Sequence, residues 1–167
     1  GANISSCVVR IRIYLLIAVL LVVKAVIASD YQKGLDAIGV DDYDTALKEW
    51  TPLAEEGNTD AQFGLGYMYL EGKGVAMNYM EAMKWFRLAA EQGDADAQNN
   101  LGLMYAVGNG VLEDQGYAHM WFEVASSNGS SGAAKNRNAS AETLSPSEIK
   151  KAQKLARECI AKNHKGC

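Results

Sequence analysis

Ser147-Glu148-Ile149-Lys150 has the serine-x-x-lysine spacing with which an acyl-enzyme sets its nucleophile beside a base. The companion S-D-N and K-T-G motifs are missing from the sequence, and Ser147 sits among the helix-start signals Ser145, Pro146 and Glu148. The match therefore reads as helix capping and not as acyl transfer. His119 is flanked by Met120 and Trp121, with no cysteine or serine on its helical face to be activated, so it reads as a packed or half-exposed residue. Asp41-Asp42-Tyr43-Asp44 gathers carboxylates but lacks the glycine and distal glutamate of a calcium loop, and suits the acid-enriched start of a helix. Gly72-Lys73-Gly74 follows a helix instead of a strand, which makes it a turn and not a phosphate cradle. No catalytic residue, metal site or cofactor is expected.

Cys159 and Cys167 stand eight residues apart near the C-terminus. A local disulfide between them would fold the tail, 163–167, back onto the end of the last helix, with Gly166 supplying backbone freedom. A zinc site using the intervening His164 is the competing reading; two cysteines and one histidine lack a fourth ligand.

These residues are positioned by a repeat. Displacing the sequence by 36 residues superposes Asp60-Ala61-Gln62 on Asp96-Ala97-Gln98, Leu65-Gly66 on Leu101-Gly102, Met68-Tyr69 on Met104-Tyr105 and Gly72-x-Gly74-Val75 on Gly108-x-Gly110-Val111. The match continues with Ala82 on Ala118, Trp85-Phe86 on Trp121-Phe122, Ala89 on Ala125 and Gly93 on Gly129. Each half carries apolar residues three and four apart, the period of a helix. Gly66 and Gly102 lie inside that pattern at a cost of about 1 kcal/mol each relative to alanine. Close contact with a partner helix, opposite Ala82 and Ala118, would offset it. Helices are predicted near 31–39, 43–56, 59–71, 79–92, 95–107, 115–128, 132–143 and 146–162, in four antiparallel pairs. The last pair diverges, with Arg137-Asn138 where the repeat has Leu-Gly, as a polar terminal cap requires. Ser145 as N-cap, Pro146 and Glu148 form a capping box for the final helix.

Composition agrees: 49% hydrophobic residues and two prolines in 167 residues suit one packed domain. Residues 1–28 stand apart from it. Arg10 and Arg12 precede an apolar run from Ile13 to Val23, and Ala28-Ser29 follows, the layout of a signal peptide cleaved after Ala28. The alternative is an uncleaved membrane anchor, for which the stretch interrupted by Arg12 and Lys24 is marginal in length. Export leaves Cys159 and Cys167 as an even pair once Cys7 is removed. Charge is segregated: residues 29–134 hold 17 acidic and 5 basic groups, whereas residues 135–167 hold eight basic and three acidic groups. An acidic exported chain without interleaved basic and aromatic residues does not suit nucleic acid.

At the residues superposed above, the sequence resembles the Sel-one-like repeat family, a relative of the tetratricopeptide repeats. The resemblance implies an all-α, TPR-like right-handed solenoid spanning 29–162, with full repeats near 59–93 and 95–129 and a diverged cap over 130–162. It further implies a non-enzymatic scaffold or adaptor, periplasmic or secreted, that binds a protein or peptide partner. Membrane association would arise only through an uncleaved N-terminal segment. In such stacking the first helix of each pair lines the concave face, where Phe63, Tyr67, Leu70, Asn99 and Leu103, together with Ala106, are offset from the packing residues and form the candidate binding strip. The alternative is that Tyr67 and Leu103 pack against adjacent repeats.

Overall fold

The computed structural model describes the backbone of residues 4–167 and the side chains from residue 12 onward; Gly1 and the side chains of Cys7 and Arg10 lie outside the described residues. The elements are α1 (Ile4–Ile38), α2 (Tyr43–Glu55), α3 (Thr59–Glu71), α4 (Tyr79–Ala90), α5 (Ala95–Val107), α6 (Gln115–Ser127), α7 (Ala133–Ala141) and α8 (Pro146–Ala161). No strand occurs among the described residues. The chain divides into two units, Gly1–Glu49 and Trp50–Cys167.

In the first unit the helix predicted to begin at residue 31 instead continues without interruption from Ile4 to Ile38. No proline lies between Lys24 and Ile38, and the polar residues there support the helix: Lys33 pairs with Asp30 at 2.6 Å and Gln32 donates to Asp36 at 2.9 Å. The large apolar side chains from Ile13 to Val23 are exposed, and the stretch Arg12–Ile38 is long and apolar enough to cross a membrane.

In the second unit the helices of the two full repeats start and stop for local reasons. Asn58 and Asp94 cap α3 and α5 by accepting from the Ala61 and Ala97 amides, and Asn78 and Asp114 cap α4 and α6. Gly72 and Gly108 end α3 and α5 in the left-handed region, at φ 67° and 74°, each donating its N–H back to a methionine carbonyl, Met68 or Met104. α3 packs on α4, α4 on α5 and α5 on α6. Gly66 in α3 and Gly102 in α5 face aromatic rings and not alanines. A Cβ on Gly66 would fall 2.7 Å from the Phe86 ring, and one on Gly102 would fall 2.5 Å from the Phe122 ring. Ala82 and Ala118 are fully buried, but the phenylalanine rings take the space that the missing side chains leave open. Gly64 does the same for the ring of Trp50, at 2.5 Å.

The terminal helices depart from the expected pairing. α7 and α8 both pack on α6, while contact between them is slight. The reason lies in α7, whose sequence AAKNRNASA buries only Ala133 and Ser140 and so offers α8 no apolar face. α8 instead lays Ala152, Ala156 and Cys159 into the core formed with α4, α5 and α6. Its start carries the expected capping box: Ser145 Oγ accepts from the Glu148 amide and Glu148 accepts from the Ser145 amide at 2.8 Å.

Candidate functional site

Interior hydrogen bonds repeat with the helices. Gln62 Nε2 donates to the Ala54 carbonyl at 2.9 Å, and Gln98 Nε2 donates to the Ala90 carbonyl at 3.0 Å, so the glutamine of each Asp-Ala-Gln motif ties its helix to the end of the preceding one. Gln92 then donates to Gln62 Oε1, and Asn128 to Gln98 Oε1, both at 2.8 Å. These polar groups are thus satisfied inside the unit.

The five strip residues do not behave alike. Tyr67 and Leu103 occupy the same position in successive repeats and are each 42% exposed. Lys73 Nζ stands 5.0 Å from the centre of the Tyr67 ring. Phe63 is half-buried, its ring 5.7 Å from that of Phe86, and Leu70 packs against the core. Asn99 is half-buried and accepts from Asn136 Nδ2 at 2.9 Å, tying α5 to α7. Leu103 borders a cleft of about 240 Å³ together with Ala106, Gln115, Phe122, Asn136 and Ser140. A larger cleft, about 340 Å³, lies between the start of α6 and α8, with Asp114, Tyr117, Glu148, Lys151 and Leu155 around it. Sequence periodicity offered no signal for that cleft, because α8 lies outside the repeat.

The residues singled out for chemistry are dispersed. Ser147 and Lys150 are both exposed, and Ser147 Oγ lies 3.0 Å from the capping Ser145 Oγ. His119 is 2% exposed, with Nδ1 2.8 Å from Ser140 Oγ, a serine that reaches it from α7 and not from its own helix. Ser140 Oγ donates to the Arg137 carbonyl at 2.8 Å. Its proton is therefore committed, His119 Nδ1 carries the hydrogen shared with the serine, and the buried Nε2 has no hydrogen-bond partner. An imidazole that donates to a serine does not activate it as a nucleophile. Burial, reinforced by the Arg137 charge, holds the His119 pKa below the usual histidine value against the opposing pull of Glu123.

At the C-terminus Cys159 and Cys167 are joined with Cα atoms 5.5 Å apart. The tail folds back across the ends of α4 and α6: the Gly166 amide donates to Glu91 Oε1 at 3.3 Å and the Asn128 amide nitrogen lies 3.0 Å from His164 Nε2. The Asp41–Asp44 carboxylates serve their helix, with Asp42 accepting from the Thr45 amide at 3.1 Å.

The Sel1 repeat pattern matches residues 59–94 and 95–130, the two units just described. A solved Sel1 repeat protein from Oxalobacter formigenes is 31% identical, with a TM-score of 0.62, over 68% of this chain and 88% of its own length. The chain belongs to the Sel1 repeat family. A second Sel1-like structure, a protective antigen present in uropathogenic Escherichia coli strains and described as displaying an SLR fold, is 32% identical with a TM-score of 0.79. That match covers 83% of this chain, which spans 30% of the antigen's length. No curated protein matches the chain. The all-α Sel1 solenoid is thus its fold, and Sel1 repeats are typically protein–protein interaction modules, generally without catalysis.

Proposed function

We propose that the chain is a non-enzymatic scaffold of the bacterial cell envelope that grips one segment of a protein partner along α3 and α5. The observation that carries this reading is the pair Tyr67 and Leu103, large apolar side chains each left 42% exposed at equivalent positions, whereas the more exposed Met80 and Leu112 correspond to Gly116 and Ala76 in the other repeat. Aromatic and aliphatic anchors at helical spacing suit an extended or helical peptide. Phe63, Leu70 and Asn99 support the strip from beneath through packing and hydrogen bonding, and the cleft beside Leu103 receives a side chain of the partner. Crosslinking followed by recovery from intact cells tests it. Tyr67→Ala and Leu103→Ala should each reduce partner recovery at least severalfold without changing helicity, and undiminished recovery from both variants would remove the reading.

Cys159 and Cys167 hold the tail against α6 in this reading, and export supplies the oxidising surroundings their bond needs. A second reading, a membrane-tethered component of an envelope complex, draws support from the unbroken α1 and its exposed apolar length. Fractionation with mass determination of the mature N-terminus separates the two. A soluble chain beginning at Ser29 would exclude the tether, and an intact N-terminus in the membrane fraction would exclude cleavage.

A further inference from the structure

We propose that the outward face of α8 docks on an anionic bilayer surface, an inference that rests on the envelope location proposed above. α8 turns Ala152, Ala156 and Cys159 inward and leaves Lys150, Lys151, Lys154 and Arg157 exposed. Two acidic residues share the helix. Glu148 is held by the capping box, and Glu158 lies 3.7 Å from Lys154 in an exposed pair. The helix therefore keeps four cations against two carboxylates, a net charge of +2, and Lys162 and Lys165 follow it.

No ion pair with the repeats uses that excess among the described residues. Among the described residues the one ion pair joining the terminal helices to the repeats is Arg137 with Glu123, at 3.5 Å, and it comes from α7. α8 makes none with the acidic body, although residues 29–134 carry 17 acidic groups against 5 basic ones. Capping a solenoid demands a polar outer surface but not a reversal of sign. The reversal therefore points outward, to an anionic partner.

The composition of the face selects the kind of anion. Three of its four cations are lysines, compact point charges on flexible stems, and no aromatic residue stands among them. Such an array suits a diffuse carpet of phosphate headgroups more than a shaped pocket or the edge of a base. The exposed apolar length of α1 gives the choice of a bilayer an independent basis, since a chain carrying Arg12–Ile38 meets a membrane on export, whether it stays there or is released. The same headgroups repel the acidic repeats, which confines the attraction to the cap.

Full-length chain reconstituted through α1 into phosphatidylcholine vesicles, with or without added phosphatidylglycerol, tests this by lysine acylation read out by mass spectrometry. Lys150, Lys151 and Lys154 should lose acylation by roughly fivefold or more in the anionic vesicles, because each cation near such a surface changes partition by about that factor. Protection should vanish near 1 M salt, where the screening length is about 3 Å. Lys48 and Lys84 should label equally in both bilayers. Replacing Lys150, Lys151, Lys154 and Arg157 together by glutamine, with helicity checked by circular dichroism, should leave Lys162 and Lys165 equally reactive in the two vesicles. Equal acylation of α8 in both bilayers overturns the proposal, as does continued anionic protection of Lys162 and Lys165 in the glutamine variant. Protection in both bilayers accompanied by α8-to-repeat crosslinks between copies also overturns it, in favour of contact between chains. None of these outcomes bears on Tyr67 and Leu103, and failure of the envelope location would appear in cell fractionation instead.

Discussion

The two full repeats and the terminal pair solve one packing problem by different means. In α3–α4 and α5–α6 a glycine removes its side chain so that a phenylalanine ring can lie on the backbone. In α7–α8 the corresponding position is Asn138, which is exposed, and closure depends on the His119–Ser140 hydrogen bond, the Ser145 capping box and the Cys159–Cys167 link. The glycine–phenylalanine seat recurs with the period, whereas the His119–Ser140 bond and the Cys159–Cys167 link of the cap have no counterpart one period away.

The largest expected effect breaks the comparison at its centre. Gly102→Val should cost about 3 kcal/mol in urea unfolding, since the new side chain must displace the buried Phe122 ring, while Asn138→Val at the equivalent place in the cap should change stability by less than about 0.5 kcal/mol. Equal losses would show that the cap is packed like the body. Cys167→Ser should come next, lowering stability by about 2 kcal/mol, in line with a short closed loop. Hydrogen exchange should rise around Glu91 and Asn128, where the tail now lies; exchange confined to the tail itself would mean that the link does not stabilise the cap.

His119 adds a pH dependence that the body lacks. Its folded pKa is depressed by burial, so its contribution is fully present above the unfolded value of about 6.5 and is lost as pH falls from there through the folded value. Met83 is the equivalent residue in the preceding repeat, and His119→Met should flatten the fall in the urea midpoint between neutral and mildly acidic solution. An unchanged slope would assign the dependence elsewhere. The smallest effect concerns Asp94, whose pKa is raised mainly by burial, with Asp96 and Asp60 adding to it against the Ala97 amide. Asn58 caps α3 in the same geometry without a charge, so Asp94→Asn should leave the thermal midpoint level or raise it by an amount equivalent to about 0.5 kcal/mol or less at neutral pH. A clear loss of stability would mean that the charge itself is needed at the start of α5.

The repeat made most of this fold legible, because each of its residues has a local task that survives translation by one period. Asn58 and Asp94 start helices, Gly72 and Gly108 end them, and the bounds of α3 and α5 follow to the residue. Periodicity says less about which partner fills a gap: it located Gly66 and Gly102 but set alanine, not phenylalanine, against them. It also could not show that Ser140 reaches His119, or that α8 bypasses α7 to pack on α6, since those residues have no counterpart one period away. For the candidate strip, spacing placed Tyr67 and Leu103 on one face but could not tell their exposure from the half-burial of Phe63 and Asn99. That distinction depends on Phe86 and Asn136, which lie on other helices.

The hydrogen bonds of Gln92 to Gln62 and of Asn128 to Gln98 have a consequence for growth. Both bonds run from a side-chain amide nitrogen to a glutamine Oε1 at the same separation of 30 residues, within one repeat. A duplicated copy of residues 95–130 spliced in after Ser130 would carry its own internal bond and offer the original cap an unaltered α6, with Ser127 standing where Glu91 now receives Gly166. The molecule is in this sense a ruler with movable length, whose next graduation needs a gene duplication and one changed contact at the tail.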